Sequence, residues 1–215
     1  MSRLPVIAID GPAASGKGTI ARRVAAALSF AHLDTGTLYR VVGLAVLRKG
    51  GDPTDAKLAI AAVGSLDMSL LEDPALRAHL TSVAASKVAA ILPVREALLE
   101  FQRNFAVHPP GGRGAVLDGR DIGTVICPDA TVKLFVTATP EVRARRRFLE
   151  LTKNGTQIAE AEVLADIQSR DARDSGRAVA PLKQASDAHL LDTTHLDIEA
   201  ATERALHIVR AALRT

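Results

Sequence analysis

Cysteine is nearly absent from this 215-residue chain. Cys127 stands alone, so no internal disulfide can form and a reducing, cytoplasmic compartment is expected. Aromatic residues make up 3% of the sequence, which leaves few platforms for stacking the bases of a single-stranded nucleic acid. No recognition-helix or zinc-finger pattern occurs either. Long apolar runs are missing: Val41 to Leu47 is among the longest, far short of the roughly 20 residues of a membrane span. The N-terminus lacks the charged start, apolar segment and small-residue cleavage site of an export signal. The histidines and the one cysteine show no metal-ligand spacing, and no Ser/His/Asp set is evident. There is no internal repeat and no low-complexity tract. These absences predict a cytoplasmic protein with neither nucleic acid nor membrane as partner; a monomer is expected, although no feature of the sequence reads out the oligomeric state. At 47% hydrophobic, the chain can bury one sizeable core and carry an inserted subdomain.

The charge that is present is distributed unevenly. The net charge is only +3, but 20 arginines stand against 7 lysines, and seven of those arginines lie between Arg143 and Arg177. A guanidinium is a planar fork that grips phosphate in a bidentate way, whereas an ammonium acts as a point charge. Part of the cluster must be a solvated helix face. A site for a polyphosphate accounts for the rest better than a nucleic-acid surface does.

Near the start, the apolar run Val6-Ile7-Ala8-Ile9 leads into Gly11-Pro12-Ala13-Ala14-Ser15-Gly16-Lys17-Gly18-Thr19, and Ile20 to Leu28 continue as an amphipathic helix. A strand, a glycine-rich turn ending in Lys-Gly-Thr and a helix together cradle a nucleotide triphosphate. Backbone N–H groups and the helix dipole face the phosphates, and the lysine reaches the outer ones. A glycine turn without a ligand is the plainer alternative. The usual pattern has Ser or Thr directly after the lysine; here Gly18 intervenes and the hydroxyl comes at Thr19. That variant looks like the nucleoside monophosphate kinases rather than the GTP-binding switches.

Further along, periodicity predicts a strand at Ala31–Asp34, a helix from about Thr37 to Leu47 and a break at Gly50–Pro53. Helices follow at Asp55 to Val63, Pro74 to Ile91 and Pro93 to Ala106, with Leu66 to Leu71 left open. Strands are expected at Ala115–Leu117, Val132–Thr137 and Leu190–Leu191. Helices are expected from Pro140 to about Leu151, Ala159 to about Ala172 and Glu199 to Leu213. Alternating strands and helices argue for a parallel sheet sandwiched by helices, with ligands gathered at the carboxyl ends of the strands.

Three further strings follow those strand ends. They are Leu33-Asp34-Thr35-Gly36-Thr37-Leu38-Tyr39-Arg40, then Leu117-Asp118-Gly119-Arg120-Asp121-Ile122-Gly123-Thr124, then Arg170-Asp171-Ala172-Arg173-Asp174-Ser175-Gly176-Arg177 running on to Leu182. With the Gly11–Thr19 loop and the terminal Leu191-Asp192-Thr193-Thr194, the ordered set resembles the bacterial cytidylate kinases over nearly the whole chain. The resemblance implies the P-loop NTPase fold as a single domain, 1–215, with its core at about 1–35, 115–152 and 178–215. An acceptor-binding insertion would occupy about 36–114 and a lid about 153–177. It also implies transfer of the γ-phosphate of ATP to CMP or dCMP with Mg²⁺.

Residue by residue, the resemblance assigns Gly11, Pro12, Ala13, Ala14, Ser15, Gly16, Lys17, Gly18 and Thr19 to ATP. Arg40, Arg120 and Arg170 would hold the acceptor phosphate and, with Lys17, carry catalysis. Ser86, Arg95 and Asp121 would read cytosine. Asp174, with Arg170 and Arg177, would contact the ribose, and Thr35 belongs to the same CMP site. Structural alternatives stand beside two of these: Asp121 as a helix cap or arginine partner, and Ser86 as an ordinary helix residue. Magnesium is assigned to Thr19 and to a strand-end carboxylate, Asp118 ahead of Asp34, although Asp118 could equally bond a backbone amide. Arg143, Arg146 and Arg147 could reach the ATP phosphates or base. The match is weakest between Leu66 and Ser86, where the chain is short and leaves room for a hairpin at most, and Leu76–Val83 lacks an acidic residue common before that helix. A UMP, AMP or dTMP kinase, or a non-catalytic nucleotide-binding module, would share the loop and the arginines.

Overall fold

The computed structural model describes residues 4–66 and 68–214. Its chain parts into two compact units, one formed by 1–33 with 103–215 and the other by 34–102.

The first unit is organised by strands β1 (Val6–Asp10), β2 (Ala31–Asp34), β3 (Ala115–Gly119), β4 (Val132–Thr137) and β5 (His189–Asp192), in the spatial order β2-β3-β1-β4-β5. β1 lies in the middle and pairs in parallel with both β3 and β4, Ile7 standing opposite Val116 on one side and Val132 on the other. Every residue of β1 is buried, as a central parallel strand with helices on both faces requires. Helices α1 (Lys17–Leu28) and α8 (Ile198–Ala212) cover one face. Ile7, Ile9, Val116, Leu134 and Val136 meet Ile20, Val24, Ala205 and Val209 there in one apolar cluster. Asp197 caps α8 by accepting from the Ala200 amide at 2.8 Å.

Helices α6 (Pro140–Lys153) and α7 (Glu160–Ser175) pack on each other through Ala144, Leu151, Val163 and Ile167. Pro140 opens α6 at the position where a missing N–H costs nothing. A π turn over Ile122–Ile126, which periodicity alone does not announce, follows β3.

The second unit is helical: α2 (Thr35–Arg48), α3 (Ala56–Gly64), α4 (His79–Val88) and the first part of α5 (Leu92–Val107). Leu38, Val42 and Val46 of α2 meet Ala59, Ala85, Val88, Val94 and Leu98 in its core. The helix expected over Pro74 to Ile91 is corrected here. Asp73 caps a short 3₁₀ turn, Pro74–Arg77, through the Ala75 amide at 2.8 Å, and Ala78 is extended (ψ 154°) before α4 begins. The Thr81 hydroxyl donates to the Ala75 carbonyl at 2.7 Å and holds that corner. Of the segment expected to hold a hairpin at most, Asp67 lies outside the described residues, and Met68–Glu72 forms a second 3₁₀ turn.

Candidate active site

The loop joining β1 to α1 borders a cleft of about 600 Å³. Ala14, Ser15, Gly16, Lys17, Gly18 and Thr19 line one side. Arg146, Arg147 and Glu150 of α6 line another, and Thr193, Leu196, Asp197, Ile198 and Ala201 complete it. Its size lies in the usual range for small-molecule sites. The loop must be glycine where it leaves the sheet. A Cβ on Gly11 (φ +153°) would stand 1.9 Å from the Val136 carbonyl oxygen. Ala14 holds a left-handed backbone (φ +59°), a strained conformation for a residue with a Cβ. Lys17 is buried, and its Nζ donates to the Pro12 carbonyl at 3.3 Å, curling the side chain over the loop.

Two polar atoms bordering this cleft, Ser15 Oγ and Arg147 Nη2, are buried without a hydrogen-bond partner among the described residues. Buried donors are rarely left so, and a polyphosphate carrying a base would satisfy them. Arg147 also pairs with Glu150 at 2.8 Å. Arg146 has a different task. It donates to Thr193 Oγ1 (3.0 Å) and to the carbonyls of Thr193 (2.7 Å) and Leu196 (3.3 Å), bracing the far wall. Arg143, 3% exposed, is a strut: it bonds the Ala138 carbonyl (2.9 Å), the Ala13 carbonyl of the loop (3.2 Å) and both carboxylate oxygens of Asp171 on α7. Of the three arginines weighed for ATP, Arg147 is the one with an unsatisfied nitrogen at the cleft.

Elsewhere in the same unit three guanidiniums converge on one carboxylate. Asp174 is 1% exposed; Arg120 Nε donates to it at 2.9 Å, Arg177 pairs with it closely, and Arg170 Nε lies 3.9 Å away. Burial alone would raise the Asp174 pKa, but Arg120, then Arg177 and Arg170, outweigh it and hold the carboxyl below its usual value. Arg120, Arg170, Asp174 and Arg177 are therefore gathered together, as four residues scattered over 58 positions of sequence. Asp121 follows at the start of the π turn, 4% exposed, and its side chain does not cap that turn. The helix-cap alternative for Asp121 is thereby set aside.

Asp118 ends in a buried pocket with Oδ2 2.8 Å from His32 Nε2, a partner that sequence spacing gives no hint of. Its Oδ1 faces the start of α1, 3.6 Å from where a Cβ on Gly18 would stand. Thr19 Oγ1 accepts from Arg22 at 3.3 Å. Magnesium in phosphoryl-transfer sites keeps several waters and takes one or two protein oxygens plus the phosphates. A carboxylate oxygen turned toward Gly18 and a hydroxyl one residue further fit that modest demand.

The second unit carries the remaining predicted residues. Thr35 opens α2 and is buried. Arg40 donates to the Leu76 carbonyl (3.1 Å) and to Ser82 Oγ (3.3 Å). Ser86, 2% exposed, lies on α4; Arg95 on α5 is 9% exposed, donates to the Ala89 carbonyl at 3.3 Å and stacks 5.7 Å from the centre of the Tyr39 ring. Asp34, the weaker magnesium candidate, precedes α2 without capping it.

One residue was not singled out by sequence. Asp10 closes β1, 4% exposed, with each carboxylate oxygen accepting an amide N–H of the π turn. The available signal was the one used for Asp118: a carboxylate that ends an apolar strand must meet a partner inside the protein.

A parallel sheet with a glycine loop between its central strand and first helix, a buried lysine and a nucleotide-sized cleft defines a phosphoryl-transfer enzyme of the P-loop class. Comparison with known proteins narrows this. The family model for cytidylate kinase matches residues 7–211. A cytidylate kinase of Rhodospirillum rubrum is 59% identical over 205 residues, covering 95% of this chain and 96% of that one. One of Nitrobacter winogradskyi is 58% identical over 206 residues, covering 96% of each. The crystal structure of an uncharacterized protein from Eubacterium ventriosum aligns with TM-score 0.54 at 12% identity over 96% of this chain and 99% of that one, a likeness of fold alone. The chain belongs to the cytidylate kinase family. It is a phosphotransferase with a phosphate group as acceptor and ATP as donor. No described helix is long and apolar enough to cross a membrane.

Proposed function

We propose that the protein transfers the γ-phosphoryl group of ATP to CMP and dCMP, giving ADP with CDP or dCDP. The observation that carries this reading is the match to the cytidylate kinase family from residue 7 to 211. The acceptor is a phosphate monoester, largely dianionic near neutral pH because its second pKa is about 6, so no base is needed to free the attacking oxygen. That oxygen forms a bond to the γ-phosphorus in line as the bond to the β–γ bridging oxygen breaks, and ADP leaves. The difficulty is repulsion. Two unit charges about 4 Å apart repel by about 1 kcal/mol in water and about 4 kcal/mol at an effective dielectric of 20. Catalysis is therefore positioning plus charge compensation.

In this reading residues 11–19 wrap the ATP phosphates, Lys17 meets the outer ones, and Arg147 serves the donor end of the cleft. Arg40, Arg120 and Arg170 neutralise the acceptor phosphate. Asp121 accepts from the cytosine amine and Arg95 donates toward the ring, with Ser86 and Thr35 completing the CMP site. A site built on such hydrogen bonds rejects a base of opposite polarity by roughly 10⁴, since its buried groups go unpaired. Asp174, with Arg170 and Arg177, serves the ribose, and the segment at about 153–177 acts as a lid over both substrates. Thr19 and Asp118 would hold Mg²⁺, which would supply neutralisation of the phosphate charge. The reading has the protein working in the cytoplasm as a monomer, and its single cysteine, the buried Cys127, suits a reducing compartment.

A coupled assay of ADP release with CMP, dCMP, UMP and AMP in parallel tests it. CMP and dCMP should be consumed, UMP and AMP poorly. ATP loss without an acceptor should be small, because closure awaits both substrates. Preference for UMP or AMP, or no turnover of any monophosphate, would overturn the reading.

A further inference from the structure

The π turn at Ile122–Ile126 is closed by the Ile126 amide on the Asp121 carbonyl (3.2 Å) and the Cys127 amide on the Ile122 carbonyl (2.7 Å). Such turns are rare and occur often at functional sites, so something must hold this one open. Two charged side chains do so. Asp10 accepts from the amides of Ile122 and Gly123, 2.8 Å each, one on each oxygen. At the opposite end Arg103 donates to the carbonyls of Val125 (3.0 Å) and Ile126 (3.2 Å). An anion at the amide end and a cation at the carbonyl end match the peptide dipoles of the turn.

The same carboxylate residue is tied to the preceding strand. Asp10 stands opposite Gly119 in the β1–β3 register, so its backbone borders one end of the segment 119–123 and its side chain grips the other. Arg120 and Asp121 lie between those two attachments. We propose that Asp10 is a positioning residue for base recognition, fixing the π turn with Arg103 at its far end and so setting the direction in which Asp121 meets cytosine rather than uracil. The inference rests on the reading above that gives Asp121 to the cytosine amine.

Two details favour geometry over stability as the reason for a carboxylate here. Adjacent amides converge on one point, and only a carboxylate has an acceptor for each; an amide side chain would turn an N–H against an N–H. Burial is costly to this group and pushes its pKa up to about 6, with the Gly123 and Ile122 amides and Lys17 opposing the shift and Asp121 adding to it. A well-packed apolar residue would serve stability as well or better. At Gly123 a Cβ would press on the Lys133 stem, 3.0 Å from its Cδ, and would only touch Asp10 Oδ2 at 3.4 Å.

The test is kcat/KM for CMP and for UMP in the wild type, Asp10→Asn and Arg103→Met. The ratio of two substrates on one sample is independent of the folded fraction, so a merely structural role leaves it unmoved. Displacing a recognition group by about 1 Å can cost 10²-fold, so Asp10→Asn should lower the CMP-over-UMP ratio by about tenfold or more. Arg103→Met, a change at an exposed side chain, should lower it in the same direction by less. An unchanged ratio in Asp10→Asn overturns the proposal. If that variant fails to fold, Arg103→Met decides: a lowered ratio supports the clamp and an unchanged one overturns it. A wild type with no preference for CMP overturns the assignment of Asp121 itself, and the proposal with it.

Discussion

Asp174→Asn removes one negative charge from beneath three guanidiniums while keeping the side chain's shape. The carboxylate is 1% exposed, with Arg120 at 2.9 Å, Arg177 in close contact and Arg170 at 3.9 Å, so the charges left behind have little water to turn to. Breaking a buried pair from one side costs about 3–5 kcal/mol. For a chain of this length that corresponds to a fall in Tm of roughly 6–20 °C. Urea denaturation of both proteins at pH 7 measures the loss directly. Two further arms identify its cause. Because the native carboxyl is held below its usual value, its stabilisation is complete above the unfolded-state pKa and is lost as pH falls through the lower folded one. The gap between wild type and variant should therefore narrow toward acid. An added oxyanion should also stand in for the missing charge, so inorganic phosphate should raise the variant's Tm more than the wild type's. A folded variant that loses less than about 1 kcal/mol, with a gap insensitive to pH and to phosphate, would refute the view that Asp174 is the internal counterion of this cluster.

Lys17→Ala should lower kcat by about 10³-fold or more, since a preorganised cation at developing charge is among the largest catalytic terms. Circular dichroism should be unchanged, and near-normal turnover in a folded variant would remove Lys17 from the site. Asp10 gives a pH signature of opposite sign to Asp174. With its folded pKa pushed up to about 6 against 3.8 for the unfolded chain, the native state binds more protons between those values. Wild-type stability should consequently fall relative to Asp10→Asn as pH rises from about 4 to 6, by up to about 3 kcal/mol, and hold level above that. Paired urea melts at pH 4, 5, 6 and 7 measure it.

The central strands β1, β3 and β4 were legible because burial on both faces favours apolar side chains. Val132–Val136 is apolar apart from Lys133, and β4 spans Val132–Thr137. The helices were legible from period and from prolines at their starts, as at Pro140. The break at Ala78 was hidden because Asp73, Pro74 and Thr81 each suit a helix start, and only their hydrogen bonds show that two short starts follow one another. The nucleotide loop could be read because its chemistry is local, nine residues in a fixed order. Asp10 and the π turn could not: their bonds join residues 112 and 113 positions apart, and a π turn has no side-chain period of its own. His32 beside Asp118 is hidden for the same reason, 86 residues separating the two.

Arginine-rich sites face a problem before any substrate arrives, because guanidiniums gathered for phosphate repel one another. Here that repulsion is reduced internally. Asp174 lies under Arg120, Arg170 and Arg177, Asp171 under Arg143, and Glu150 beside Arg147. On the proposed function, an entering phosphate meets partly compensated cations and competes with a carboxylate for them. Ground-state binding is weakened by that competition, whereas charge that develops later, as the γ-phosphoryl group moves between two polyanions, meets donors already in place. Interactions stronger in the transition state than in the ground state are the ones that raise turnover. The same arrangement argues against a polynucleotide as ligand, since binding by naked cations is driven by counterion release and falls steeply with salt. A cluster whose counterions are its own side chains has few to release, so the affinity for CMP should change little where a nucleic-acid binder would lose several decades.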